Sequence, residues 1–294
     1  MRARCGGYPA VIHEKESPVT HASETETIAF IGGGNMARSL IGGLFAQGRD
    51  PATIRVAEPV EALRDALAGD FGVHVVADAA QAVDGASTWL LAVKPQVMRG
   101  VCESLTPAAA ANPLVISIAA GITASQLDRW LGGGRAVVRA MPNTPSLIGQ
   151  GVTGLFATGA VTPDQRDTAS ALLRTGGPTT WIDDEALMDA VTAVSGSGPA
   201  YVFLLAEAMQ AAAERQGLPH DTAGLLVRQT IAGAAAMLAQ GGEAPGALRA
   251  RVTSPGGTTQ AAVETLQAGG FEALLDRAIA RAAERGRELS AAND

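Results

Sequence analysis

Apolar residues come in short blocks along the first part of the chain, each closed by glycine, proline or a polar residue. Ile28-Ala29-Phe30-Ile31 leads into Gly32-Gly33-Gly34, and residues 53–57 end on Glu58 and Pro59. Residues 74–76, 88–93, 114–118 and 136–140 repeat the theme. Runs of this length, bounded by turn residues, read as strands. Between them the period lengthens: Leu40, Ile41, Leu44 and Phe45 recur at helical spacing within 39–47 and stop at Gly48, and 61–68 is a second such stretch. Strands alternating with helices imply a parallel sheet joined by right-handed crossovers. The N-terminal half is therefore expected to be a doubly wound α/β domain. Residues 151–158 and 179–182 are its expected outer strands, with a helix over 163–174 between them.

Near Asp183 the pattern changes, and no further strand is predicted. Helices are expected over 199–216, with Pro199 in the first turn and Gly217 as the stop, and over 221–240, 244–252, 259–268 and 271–290. The first two are rich in Ala and Leu around most of their circumference, so they need cover on most sides. A bundle of roughly 110 residues offers too little interior for both. The surplus apolar face predicts a homodimer made through this domain; the alternative is a compact monomeric bundle with alanine at its surface. The expected division is a disordered extension over 1–25, a dinucleotide-binding domain over 26–183 and a helical substrate and dimerisation domain over 184–294.

Composition narrows the classes. The chain has 294 residues, 47% hydrophobic and 17% charged, and a net charge of −7. That is an ordinary globular enzyme balance, with no global basic field for nucleic acid or an anionic membrane. No apolar run is read as approaching the roughly 20 residues that span a bilayer, and the first 25 residues lack an apolar signal-peptide core. Cys5 and Cys102 have no metal-ligand spacing. A cytoplasmic protein is expected. Of two lysines, Lys15 and Lys94, only Lys94 falls in the folded body.

The chemistry starts at the first turn. Gly32, Gly34 and Ala37 fill the three small positions of G-x-G-x-x-A between a strand and a helix, where the pattern signals a dinucleotide. Gly32 lets the chain reverse, Gly34 lets backbone N–H groups approach a pyrophosphate, and Ala37 lets the helix pack on the strand. The N-terminus of the helix, with Asn35 and Met36 leading into it, then faces the anion. Glu58 ends the second strand, where a carboxylate takes the ribose 2′-OH and favours NAD; alternatively it caps the next helix.

Five later stretches are too particular for connectors: Leu91-Ala92-Val93-Lys94-Pro95-Gln96, Ser117-Ile118-Ala119-Ala120-Gly121-Ile122, Arg139-Ala140-Met141-Pro142-Asn143-Thr144-Pro145, Val194-Ser195-Gly196-Ser197-Gly198-Pro199-Ala200-Tyr201 and Thr253-Ser254-Pro255-Gly256-Gly257-Thr258-Thr259. The first three end strands, where ligands bind in an open α/β sheet. In this order and spacing the five resemble the pyrroline-5-carboxylate reductases, over about residues 27–290. The resemblance implies a Rossmann-type domain followed by an all-α dimerisation domain. It also implies hydride transfer from NADPH or NADH to the C=N carbon of 1-pyrroline-5-carboxylate, giving L-proline in the last step of proline biosynthesis. Members form dimers, often joined into decamers.

Such a site must hold a carboxylate and a cyclic imine. Ser254, Gly256, Gly257, Thr258 and Thr259 can form an anion nest of successive N–H groups without an arginine; without the resemblance, an interhelical turn is the simpler reading. The resemblance places Thr259, as the catalytic residue, close to the substrate nitrogen, where it could donate or relay a hydrogen bond. It places Ala92, Lys94 and Pro95 on the cofactor, with Ala119, Ala120 and Gly121 passing close because they are small. Asn143 and Thr144 would present amide and hydroxyl groups to the nicotinamide end. None of His13, His21, His74 and His220 falls in a motif. An iminium draws hydride without a strong general acid, whereas a hydroxy-acid dehydrogenase wants a His or Lys to move the hydroxyl proton. A β-hydroxyacid or arogenate-type dehydrogenase and a non-catalytic dinucleotide sensor are the competing readings.

Overall fold

The computed structural model describes residues 26–293. The expectation for the extension 1–25, with Cys5, His13, Lys15 and His21, lies outside the described residues. Eight strands form one sheet: β1 (Ile28–Ile31), β2 (Ile54–Ala57), β3 (His74–Val76), β4 (Thr88–Leu91), β5 (Leu114–Ser117), β6 (Ala136–Met141), β7 (Thr153–Ala157) and β8 (Thr179–Trp181), in the order β3-β2-β1-β4-β5-β6-β7-β8. The first six are parallel, and Ile31 lies opposite both Ala57 and Leu91. The C-terminal ends of β1, β2 and β4 are thus level. The topological switch falls between β1 and β4, where doubly wound sheets bind ligands.

Strand direction departs from the expected parallel sheet at its far edge. β7 runs antiparallel to β6, with Met141 opposite Gly154, and β8 runs parallel to β7. The β6–β7 connection carries only the short 3₁₀ turn Thr144–Ile148. A parallel return needs a longer crossover, usually a helix.

Both faces of the sheet are covered, which is why its strands read as continuous apolar runs. Successive strand residues point to opposite sides. Phe30, Ile54 and Ile116 pack with Leu40 and Ile41 of α1 (Asn35–Ala46), Leu67 of α2 (Glu61–Phe71) and Leu173 of α6 (Pro163–Leu173). Ile31, Trp89, Leu91 and Val115 pack with Val83 of α3 (Ala79–Val83), Met98 and Leu105 of α4 (Pro95–Ala109) and Leu127 of α5 (Ala124–Trp130). Cys102 lies in this second layer. Burial, helped by the Glu103 charge, pushes its thiol up to about 12, so it stays protonated and inert.

After β8 come α7 (Met188–Val191), a π-helical turn at Thr192–Gly196, α8 (Gly198–Arg215), α9 (His220–Ala239), α10 (Pro245–Arg251), α11 (Thr258–Ala268) and α12 (Phe271–Ala292). α8 to α12 match the predicted helices to within about two residues, the margin normal for helix ends, whereas α7 and the π-helical turn were not predicted. The described chain divides into two compact units. One runs up to Tyr201 and resumes at Leu274, and the other is Val202–Ala273. In the second unit α10 and α11 bury no residue, and α9 buries only Ala223, Gly224 and Val227. Leu204 is 66% exposed and Leu225 60%.

Composition alone corrects one expectation. α9, with 20 residues and an 18-residue window of mean hydropathy 1.3, is long and apolar enough to cross a membrane by length and composition. Alanines contribute much of that mean while its glycines lower it, and the helix carries Asp221, Arg228 and Gln229.

Candidate active site

The glycine turn is built so that each glycine answers a different demand. Gly32 has φ +103°, and a Cβ there would sit 2.7 Å from the Ala92 carbonyl oxygen. β1 and β4 can end side by side only if position 32 has no side chain. At Gly33 a Cβ would lie 2.5 Å from Leu67 Cδ1. Gly34 is unlike both: its backbone is ordinary extended (φ −68°, ψ −178°), and a Cβ would meet nothing within 4 Å. Gly34 is the N-cap of α1, which begins at Asn35 rather than at residue 39. The N–H groups of Asn35, Met36 and Ala37 have no carbonyl one turn behind them. Arg38 N makes the first helical bond, to Gly34 O at 3.0 Å. Ala37 is fully buried against the sheet. A cradle of open space over free N–H groups at the switch point fits a dinucleotide pyrophosphate.

Glu58 is buried, and its carboxylate faces the turn. Oε2 accepts from Gly33 N at 3.0 Å, and Oε1 accepts from Val60 N, the N-cap of α2, at 3.0 Å. This geometry realises the capping alternative, and neither oxygen is left for a ribose without sharing. Arg64 folds back to the same strand end and donates to Glu58 O at 3.0 Å and Pro59 O at 2.7 Å. Glu58→Gln retains one acceptor but strands one backbone N–H. It is expected to weaken NADH and NADPH alike by about tenfold, the worth of one buried hydrogen bond, as measured by fluorescence titration. A loss confined to NADH would show instead that the carboxylate meets the ribose.

Ala92 and Lys94 follow β4 beside the glycine turn. Lys94, the one lysine among the described residues, is exposed and is the N-cap of α4, with Pro95 at the first helical position. Ala119 and Ala120 follow β5; Ala119 is buried and donates to Ser117 Oγ at 3.3 Å. Gly121 corrects the sequence reading. Its φ is +70°, and a Cβ there would approach Leu289 Cβ of α12 to 3.1 Å, so packing already requires its small size. Asn143 is a second correction. Its Nδ2 donates to Ser195 O at 3.1 Å, and its Oδ1 accepts from Val152 N at 3.0 Å. This amide clamps the π-helical turn to the β6–β7 connection instead of facing outward. Thr144 is exposed.

In the other unit, Ser254-Pro255-Gly256-Gly257 is a type II turn. Gly257 N donates to Ser254 O at 3.0 Å, and Gly256, at φ +69°, takes the left-handed third position. Gly257 caps α11, which starts at Thr258. Gly256 N is bonded to Gln260 Oε1 at 2.6 Å, and Gln260 Nε2 donates to Glu264 Oε1 at 2.7 Å. The two glycine N–H groups are therefore engaged within the loop. The donors left for an anion are those of Thr258, Thr259 and Gln260, the first three of the helix. Gln260 was missed by the sequence reading. A Gln three residues after a helix cap, able to reach back to a backbone N–H, is its signal.

Two further features lie outside the predicted set. Arg139, 4% exposed within β6, pairs with Glu185 Oε1 at 3.2 Å and Asp189 Oδ1 at 3.4 Å, while Glu185 Oε1 also accepts from Ala124 N at 2.6 Å. His220 is exposed and pairs with Glu214 at 2.8 Å. Hydrogen bonds from Gln210 and then His220 hold the Glu214 carboxyl below its ordinary range.

The model of pyrroline-5-carboxylate reductase dimerisation matches residues 185–289, and that of the coenzyme F420-dependent NADP oxidoreductases matches 27–121. The chain is 52% identical over 266 residues to a pyrroline-5-carboxylate reductase of Pseudomonas aeruginosa, covering 90% of this chain and 97% of the relative. It is 40% identical to that of Escherichia coli, covering 90% and 98%. Among solved structures it is similar to the pyrroline-5-carboxylate reductase of Coxiella burnetii, with TM-score 0.87 and 43% identity over 90% of this chain and 99% of that one. It is also similar to the NADP-bound pyrroline carboxylate reductase of Plasmodium falciparum, with TM-score 0.80 and 25% identity over 91% and 99%.

Proposed function

The chain belongs to the pyrroline-5-carboxylate reductase family and is an oxidoreductase that reduces the C=N bond of 1-pyrroline-5-carboxylate to L-proline with NAD(P)H, and we propose that its reaction is divided between the β1–α1 turn, which holds the dinucleotide, and the start of α11, which holds the substrate. When bound, the reduced nicotinamide supplies the hydride. The residues described above fit such a cofactor. Gly34, Asn35 and Met36 take the pyrophosphate, Ala92, Lys94 and Pro95 line its path, and Ala119 and Ala120 let it pass close. The observation that carries this reading is the open space at Gly34, a glycine that no contact within the protein demands.

Both dinucleotides are accepted on this reading. Glu58 is engaged by backbone N–H groups, and Arg64 sets a cation at the end of β2, where a 2′-phosphate would be neutralised. The substrate carboxylate is taken by the N–H groups of Thr258, Thr259 and Gln260, favoured by the positive end of α11. Ser254, Gly256 and Gly257 shape the turn that aims them. The Thr259 hydroxyl hydrogen-bonds the substrate nitrogen, accepting from the iminium N–H and donating to the amine nitrogen that hydride transfer leaves. Catalysis rests on orientation and fixed dipoles, without a titrating pair.

Thr259→Val keeps the shape of the side chain and removes its hydroxyl. Steady-state oxidation of NADPH and NADH with pyrroline-5-carboxylate is expected to show kcat/KM lowered about 10- to 100-fold, the range for a hydrogen bond to a charged group, with dinucleotide affinity unchanged. Unchanged turnover would leave the backbone nest as the only working part. A wild-type protein that binds dinucleotide and reduces no imine would support a sensor.

The exposed apolar helices support a homodimer through the helical region, with decamers as a further step, and the chain's charge and composition support a cytoplasmic setting. Light scattering at micromolar protein tests the first; a monomer would overturn it.

A further inference from the structure

We propose that the end of α12 is a brace for the cofactor loop, and that Asn293, just past that helix, is a positioning residue for dinucleotide binding. The inference rests on the reading that Ala119 and Ala120 lie along the cofactor.

The last carbonyls of any helix lack partners within it. At the end of α12, side chains that also reach the loop after β5 meet two of them. Asn293 Nδ2 donates to Leu289 O at 2.8 Å and to Gly121 O at 3.1 Å. Gln126 Nε2, from the first turn of α5, donates to Ser290 O at 2.9 Å. Gln126 also closes the capping box of α5: its Oε1 accepts from Thr123 N at 2.8 Å, and its N donates to Thr123 Oγ1 at 3.1 Å. The segment from Gly121 to Gln126 is thus gripped at both ends by one turn of α12. Leu289 fills the space above Gly121, which is why that position has no side chain. One turn earlier, Gly286 lies against Asp189, where a Cβ would stand 3.0 Å from the carboxylate.

The grip sets where Ala119 and Ala120 lie. They leave β5 level with the switch-point strands, and their position then depends on Gly121, whose carbonyl is held by Asn293. A loop held from behind presents its small residues to a ligand without reorganising, and pre-organisation of this kind favours binding.

Asn293→Asp is nearly isosteric but replaces the amide donor with a carboxylate facing two carbonyl oxygens. It is expected to raise the Kd of both NADPH and NADH about 5- to 10-fold. The KM for pyrroline-5-carboxylate at saturating dinucleotide should stay within about twofold, and deuterium uptake over residues 118–122 should increase. Asn293→Ala should fall between this variant and wild type, and Asn293→Gln, which keeps the donor, should recover most of the affinity. Loss of packing alone would not separate Asp from Asn. Unchanged dinucleotide Kd in Asn293→Asp would overturn the proposal, as would equal losses for dinucleotide and imine. Because dinucleotide titration needs no turnover, failure of the imine reaction would count against the functional reading and leave the brace to be judged by its own result.

Discussion

Gly34→Val is expected to keep the fold and lose the cofactor. Dinucleotide affinity should fall about 100-fold or more, roughly 2.8 kcal/mol at 1.4 kcal/mol per decade. The unfolding midpoint should move by only about 2–4 °C, the shift for about 1 kcal/mol in a chain of this size. Position 34 has backbone angles open to any residue and no neighbour within 4 Å of a Cβ. The small stability cost is the loss of a favoured N-cap residue. The large binding cost comes from two methyl groups in the space where phosphate oxygens must meet the Asn35 and Met36 N–H groups. Gly32 makes the natural control. A side chain there meets the Ala92 carbonyl, so Gly32→Val should damage fold and binding together. Calorimetry and fluorescence titration on the pair separate the two causes, and full affinity in Gly34→Val would put the pyrophosphate elsewhere.

Arg139→Met should instead destabilise the fold by about 3 kcal/mol, because it leaves the buried Asp189 and the half-buried Glu185 without their cation. That is a large part of the roughly 5–15 kcal/mol that holds a typical protein folded. The guanidinium is 95% shielded, and its two partners lie in the segment after β8: Glu185 in the 3₁₀ turn Glu185–Leu187 and Asp189 in α7. Glu185 also holds Ala124 at the start of α5. Denaturant titration reads the loss, and adding Glu185→Gln to Arg139→Met should recover part of it by removing one stranded charge. A loss below about 1 kcal/mol would mean that water reaches the cluster and that the pair behaves as a surface one.

Local signals made the geometry of the glycine turn legible. A strand, three glycines and a helix lie within one stretch of chain, and their roles follow from backbone geometry alone. The same holds for Ser254-Pro255-Gly256-Gly257, whose residue types dictate a type II turn. What the sequence hid depends on distant partners. The Asn143 amide bonds to Ser195, 52 positions away, and no local rule turns it inward. Gly121 is small for Leu289, 168 residues later, whereas sequence logic assigned its smallness to a ligand. The direction of β7 follows from pairing, which an apolar run does not encode. Arg139 was visible as a charge inside Ala-Val-Val-Arg-Ala, yet its burial is known only once Glu185 and Asp189 are seen beside it.

The exposed leucines of α8 and α9 bear on how the chain is made. Every strand of the sheet precedes them, so a ribosome delivers the whole α/β layer before the apolar helices emerge. At about 5–20 residues per second, residues 202–293 take roughly 5–20 s to appear. For that interval a nascent chain carries a folded front and a sticky tail, and neighbouring chains on one message are the nearest source of a matching surface. Pairing during synthesis would shorten the exposure, and overexpression that outruns it should yield aggregates rather than soluble monomers.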